Sequence, residues 1–175
     1  DLVQDLKCAK QPLVVGNVGN QPKVERVPFP YYPLLSSTQS HVVSKNLGDV
    51  LSVFPSSIDT VRTPGIAKTV LLSTDTNSRT LSTPAIVSLQ SIKSEDVFKQ
   101  FRRIYIPIAV LLEGNFTSLY RNRLTQALRD SLSRYHNKPF AETAVKPGKQ
   151  IVVSDADLIT NVVTGTEGPL PMGVQ

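Results

Sequence analysis

The chain of 175 residues has one cysteine, one methionine, two histidines and no tryptophan. Each scarcity removes a class of function. The single thiol, Cys8, cannot form an intrachain disulfide, which excludes a disulfide scaffold, and with no evident histidine partner it suits packing better than nucleophilic chemistry. His41 and His136 are far apart in sequence and share no metal-ligand spacing with Cys8, so no metal site is expected. Nothing ends in Gly-Lys-Ser/Thr, the loop whose backbone amides cradle nucleotide phosphates, so the chain does not hydrolyse ATP by that route. Gly16-Asn17-Val18-Gly19-Asn20 lacks the third glycine and following helix of a dinucleotide fingerprint and reads as a turn. Ser56-Ser57 follows Pro55 without the glycines of a nucleophile elbow. No catalytic residue and no cofactor is therefore assigned. The longest apolar run, Ile104–Leu112, is broken by Pro107 and falls short of the roughly 20 residues that cross a bilayer.

What remains is 40% hydrophobic with 13 prolines, too apolar for a disordered chain and long enough to bury about two-thirds of its unfolded surface. The expectation is a single α/β domain over residues 1–175, a piece of a longer protein with any membrane anchor outside it. Asp1–Lys10 has helix-like spacing of Leu2, Val3 and Leu6 without a basic-then-apolar leader, and GPLPMGVQ closes on Pro/Gly punctuation. Lys and Arg number 19 against 14 acids, a formal +5. The surplus is concentrated: residues 116–149 carry seven basic and two acidic side chains, whereas 150–175 carry three acids and no base. A basic helix and its exit loop make a solvated face, not the aromatic-lined basic surface of a nucleic-acid binder.

Thr69–Asp75, Ile108–Asn115 and Gln150–Asp157 share one layout, an apolar strand ending in a carboxylate and turn chemistry. Such runs suit strands covered on both faces. Within Phe116–Tyr135, residues Tyr120, Leu124, Leu128, Leu132 and Tyr135 have helical spacing; Asn115 or Thr117 could cap the helix, and Asn137-Lys138-Pro139 ends it. Strand, helix, strand makes a βαβ unit, right-handed by default. The first half is Pro-rich and strand-rich. Four prolines in Pro22–Pro33 argue against a central strand there, Val50–Val61, interrupted by Pro55, suits a bulged or edge strand, Ala85–Leu89 a short strand, and Ser94–Phe98 a capped helical turn. The fold class is α/β, with a mixed sheet.

Two groups of residues carry functional expectations. Asp75, Glu113, Asp155 and Asp157 sit at strand ends, where open α/β sheets bind ligands, and converging carboxylates could hold a cation or small ligand. The plainer alternative is that Asp155 or Asp157 caps the turn at Leu158–Val163. Pro28-Phe29-Pro30-Tyr31-Tyr32-Pro33-Leu34-Leu35 is a proline-stiffened aromatic corner, which either closes the core or offers a partner a surface with little entropy to lose. Phe29, Tyr31, Tyr32 and Leu34 are the candidate contacts there. Phe116 and Tyr120, in the Glu113–Tyr120 junction, are a second set.

Five blocks then occur in order: FPYYPLL (29–35), HVVSKNLGD (41–49), FPSSIDTV (54–61), VLLEGNFTSLYRN (110–122) and IVVSDADLI (151–159). Together they resemble the C-terminal part of the soluble region of the GldG family, the gliding-motility-associated ABC transporter auxiliary or substrate-binding component of Bacteroidetes. The resemblance implies a periplasmic accessory domain on the inner membrane, tethered only in the full-length protein, with a permease and a separate ATPase as partners. It hands over no catalytic residue. The function expected is thus non-enzymatic, through contacts with membrane subunits, with a ligand- or cation-binding module as the alternative.

Overall fold

The computed structural model describes residues 1–38, 41–88, 95–160, 163–165 and 168–169. They form two compact units. The larger comprises Asp1–Asp59, Val70–Val110 and Val153–Gln175, the smaller Thr60–Thr69 and Leu111–Val152.

In the larger unit, β1 (Leu2–Asp5) pairs antiparallel with β6 (Ser78–Leu81), placing Gln4 opposite Arg79 and Asp5 opposite Ser78. The helical spacing of Leu2, Val3 and Leu6 is overridden, because pairing with β6 buries Val3, Gln4 and Asp5 in succession, which no amphipathic helix would do. β2 (Cys8–Val18) and β3 (Gln21–Ser37) form a long antiparallel hairpin turned at Gly19-Asn20, where Gly19 takes the φ of +61° that favours glycine. β4 (Val50–Leu51) pairs with β3 at Leu34 and Leu35, and β5 (Ile66–Ser73) reaches β3 only at Ser36 and Ser37. The sheet continues to β7 (Pro107–Gly114), so its order here is β2–β3–β5–β7.

The Pro-rich segment is a strand but not a central one, as its four prolines lead one to expect: among the described residues its only ladder partner between Pro22 and Pro33 is β2, and a register slip between Cys8 and Lys10 leaves residues 29–32 out of that ladder. On the other side β3 supplies carbonyls alone: Phe54 donates to the Tyr31 carbonyl and Ser52 to that of Pro33, both at 3.0 Å. Of the extended stretch expected at Val50–Val61, only β4 and an isolated bridge from Ser56 to Leu2 are strand-like. Residues 85–88 carry no strand and Leu89 lies outside the described residues. The helical turn is α1 (Glu95–Phe98); its expected cap, Ser94, also lies outside them. A further two-residue pair joins β9 (Val163–Thr164) to β10 (Gly168–Pro169).

In the smaller unit the end of β7 neighbours β8 (Gly148–Val153), with α2 (Gln126–His136) between them in sequence. The strand, helix, strand succession and the α/β class are as expected. Ser154 donates to Ile108 while Lys149 pairs with Glu113, so the two strands run antiparallel and the intervening residues form a long hairpin excursion that needs no crossover. β8 is exposed over Lys149–Val153 instead of being covered on both faces, as befits a strand that ends the sheet order. α2 starts ten residues later than the apolar spacing suggests: Thr125 is its cap, accepting from the Leu128 amide, and Phe116–Arg123 is irregular. Its end is where the sequence puts it, at Asn137, with φ of +50° and its amide on the Ser133 carbonyl. Among the described residues no helix is long and apolar enough to cross a membrane.

Candidate functional site

The aromatic corner lies in the larger unit, at the register slip between Cys8 and Lys10 that takes residues 29–32 of β3 out of the β2 ladder. Alternation breaks there: Pro30 and Tyr31 are both buried between half-buried Phe29 and Tyr32, and it resumes with Pro33 and Leu35 buried and Leu34 half-exposed. Tyr31 is fully buried, at 0% exposure, so its place among surface contacts is corrected: it is a core residue that closes the corner. Its hydroxyl lies 3.4 Å from both the Ile86 carbonyl, to which it donates, and the Ser88 amide, from which it accepts.

Phe54, absent from the sequence-derived set, completes the cluster. Its ring stands edge-to-face on Tyr32 at 5.2 Å and on Phe29 at 6.3 Å, and Phe29 meets Tyr32 edge-to-face at 4.9 Å. Such pairs contribute about 0.5–1.5 kcal/mol each beyond area burial. Phe54 also holds a φ of +51°, a costly conformation for a bulky residue, and its amide donates a hydrogen bond to the Tyr31 carbonyl. Pro30, Pro33 and Pro55 are fully buried beside these residues in the chain, so the corner is stiff. An open groove beside it is lined by Gln11, Pro12 and Leu13 of β2 with Phe29, Tyr32 and Val87. The signal for Phe54 was the repeated Phe-Pro, at 29–30 and 54–55. Cys8, near the base of the hairpin, is half-buried and burial pushes its thiol above the ordinary range, which suits packing.

The second contact set lies in the smaller unit. Phe116 is half-buried, its carbonyl accepts from the Ala144 amide at 2.8 Å, and a Cβ added at Gly148 would meet its ring at 3.4 Å. Tyr120 is 56% exposed.

The four acids do not form one group. Asp155, 5% exposed, spends both oxygens on the backbone frame: Oδ2 accepts from Ser52 Oγ at 2.5 Å and the Val53 amide at 2.8 Å, and Oδ1 accepts from the Asp157 amide as the cap of a 3₁₀ turn at Ala156–Ile159. Asp157 is exposed and contributes its carbonyl to Thr160. Asp75 is half-buried and is held by its backbone. Glu113 belongs to the smaller unit, where Lys149 pairs with it at 2.6 Å. No cluster of three or more His, Cys, Asp or Glu that could hold a metal occurs among the described residues.

The acid that matters most to the larger unit is one the sequence did not single out. Asp5 is fully buried and accepts from the amides of Asp75 (2.6 Å) and Lys7 (2.8 Å) and from Ser78 Oγ (3.1 Å). Burial pushes its carboxyl up, and those three donors offset part of the shift. Beside it Arg79 is buried with amide oxygens for partners, Gln4 Oε1 and Gln100 Oε1 at 2.6 Å each, and with the Phe101 ring 4.8 Å away. These groups tie β1 to β6 and are structural.

The family model described as an ABC-type uncharacterized transport system matches residues 1–175. The chain belongs to that family. It is an auxiliary component of an ABC-type transport system, which implies association with transporter subunits. Neither the curated proteins nor the solved structures gave a match.

Proposed function

We propose that this chain is a non-enzymatic accessory domain of the GldG-like kind, standing on the periplasmic side of the inner membrane and docking on the permease and ATPase assembly of its transporter. Coupling is the mechanism: ATP hydrolysis in the partner subunit alters the docking, and the domain conveys that change to what it holds. The observation that carries the reading is the aromatic corner. Phe29, Tyr32 and Phe54 present partly exposed ring edges on a base of buried Tyr31 and three buried prolines. Rigid aromatic anchors lose little entropy on binding and are the residues that dominate interface energies. Leu34, half-exposed, follows two residues after Tyr32 on the same strand. Asp155, the strongest acidic candidate for chemistry, is fully engaged as a cap, which weighs against the ligand- or cation-binding alternative.

The test is co-purification of the full-length protein with its permease. Tyr32→Ala with Phe54→Ala should weaken the association at least about 30-fold, the effect of losing one hot spot, while the melting transition stays cooperative. Association unchanged in this double variant overturns the reading.

A further inference from the structure

The smaller unit carries nine Lys/Arg and three Asp/Glu, a formal +6, more than the surplus of the whole chain. Its helix α2 is mounted the unusual way round. An amphipathic helix ordinarily buries its apolar stripe. Here no residue of α2 is buried, and the two that are half-buried, Arg129 and Ser133, are polar and one turn apart. Arg129 anchors the helix by pairing with Glu142 at 2.6 Å, donating to the Arg121 carbonyl and lying 5.4 Å over the Phe140 ring. The apolar stripe, Leu128, Leu132 and Tyr135, is left 49%, 37% and 85% exposed at spacings of four and three residues. On α2 and the segments that flank it in the chain, Arg123, Arg134, Lys138 and Lys146 are exposed and have no acidic partner among the described residues.

We propose that α2 docks on an anionic phospholipid surface. Leu128, Leu132 and Tyr135 enter the boundary between headgroups and acyl chains, and Arg123, Arg134 and Lys138 meet the phosphates. A convex helix with apolar side chains between unpaired cations fits a bilayer without needing a matching groove, and tyrosine is favoured at the membrane–water boundary. Charge complementarity selects the lipid: a neutral surface would leave the +6 unmatched. This inference is independent of the aromatic corner, which belongs to the other unit.

The experiment is flotation of the full chain with phosphatidylcholine vesicles, with and without phosphatidylglycerol. Binding should require phosphatidylglycerol and weaken as salt is added. Arg123→Glu with Arg134→Glu should lower it at least about 25-fold, about fivefold for each arginine lost. Leu128→Ser with Tyr135→Ser should lower it at least about tenfold, with circular dichroism checking that the helix persists. No retention on anionic vesicles, or retention that neither double variant reduces, overturns the proposal. If the α2 variants instead lose their transporter subunits while vesicle binding is unchanged, the helix is a protein-docking element and the lipid assignment falls. Loss of permease association in the aromatic-corner variant, with vesicle binding intact, leaves this inference standing.

Discussion

The larger unit buries Val3, Tyr31, Leu35, Ile108 and Val110 almost completely, whereas the smaller unit, residues 60–69 and 111–152, buries only Leu111. One is held by a hydrophobic core on β1, β3, β5 and β7. The other is held by the pairing of β7 with β8, by backbone hydrogen bonds from Ala144 to Phe116 and from Ser118 to Glu142, and by ion pairs that join Arg121 and Arg129 to Glu142 and Lys149 to Glu113. Exposed ion pairs contribute little each, so the smaller unit should open at a lower free energy than the larger. Charge follows the same division: the larger unit has ten Lys/Arg and eleven Asp/Glu, close to neutral, and the smaller has the surplus. A core-poor, strongly charged region is a poor independent scaffold and a good surface for something else to cover.

The largest expected effect is on the core. Tyr31→Ala removes a fully buried ring that touches Phe29 and Phe54, and should cost about 3–5 kcal/mol in urea unfolding of the chain. A cost under about 1 kcal/mol would mean that the corner is not part of the core. Next is Gly114, whose φ is +151° and at which an added Cβ would lie 2.1 Å from the Gly65 carbonyl oxygen. Gly114→Ala should cost about 1–3 kcal/mol, read by hydrogen exchange as faster opening of the smaller unit with the β1 and β3 amides unchanged. Uniform loss across both units would break the comparison.

The smallest effect concerns pH, and the two units should respond in opposite senses. Burial raises the Asp5 carboxyl, so its contribution to the larger unit is complete below the ordinary aspartate range and is lost as pH rises through the raised value. Glu142 is lowered, chiefly by the hydrogen bond from Arg129 and then by the charges of Arg129 and Arg121. Its contribution is present above the ordinary glutamate range and is lost as pH falls through the lowered value. Hydrogen exchange of each unit across the acid range, compared with Asp5→Asn and Glu142→Gln, checks both signs. Parallel trends, or variants that leave them unaltered, would contradict the assignment.

Much of this was legible in the chain itself. TVLLS and IAVLL are continuous apolar runs and became β5 and β7; Asn137 ended the helix; Asp155 capped its turn; the basic surplus was already gathered at 116–149. Other readings failed where local pattern and tertiary pairing disagree. Leu2, Val3 and Leu6 have helical spacing, but β6 offered β1 a ladder that also buries Asp5 among three donors. The four prolines, by contrast, argued only against a central strand, and from 22 to 33 β3 has a ladder partner on one side alone.

The candidate site shows the same division. Local sequence determined that the corner is stiff and aromatic, because proline fixes φ and four of the residues from 28 to 33 are Pro or Phe, with two Tyr beside them. Which of the two tyrosines is buried was decided only by the tertiary structure: a register slip takes residues 29–32 out of the β2 ladder, so no period of two applies, and Tyr31 is enclosed where the chain meets β3 at Phe54. Likewise the amphipathic pattern of α2 lay in the sequence, whereas the choice to anchor it by Arg129 and leave Leu128, Leu132 and Tyr135 outside came from Glu142, which is far along the chain and close in space.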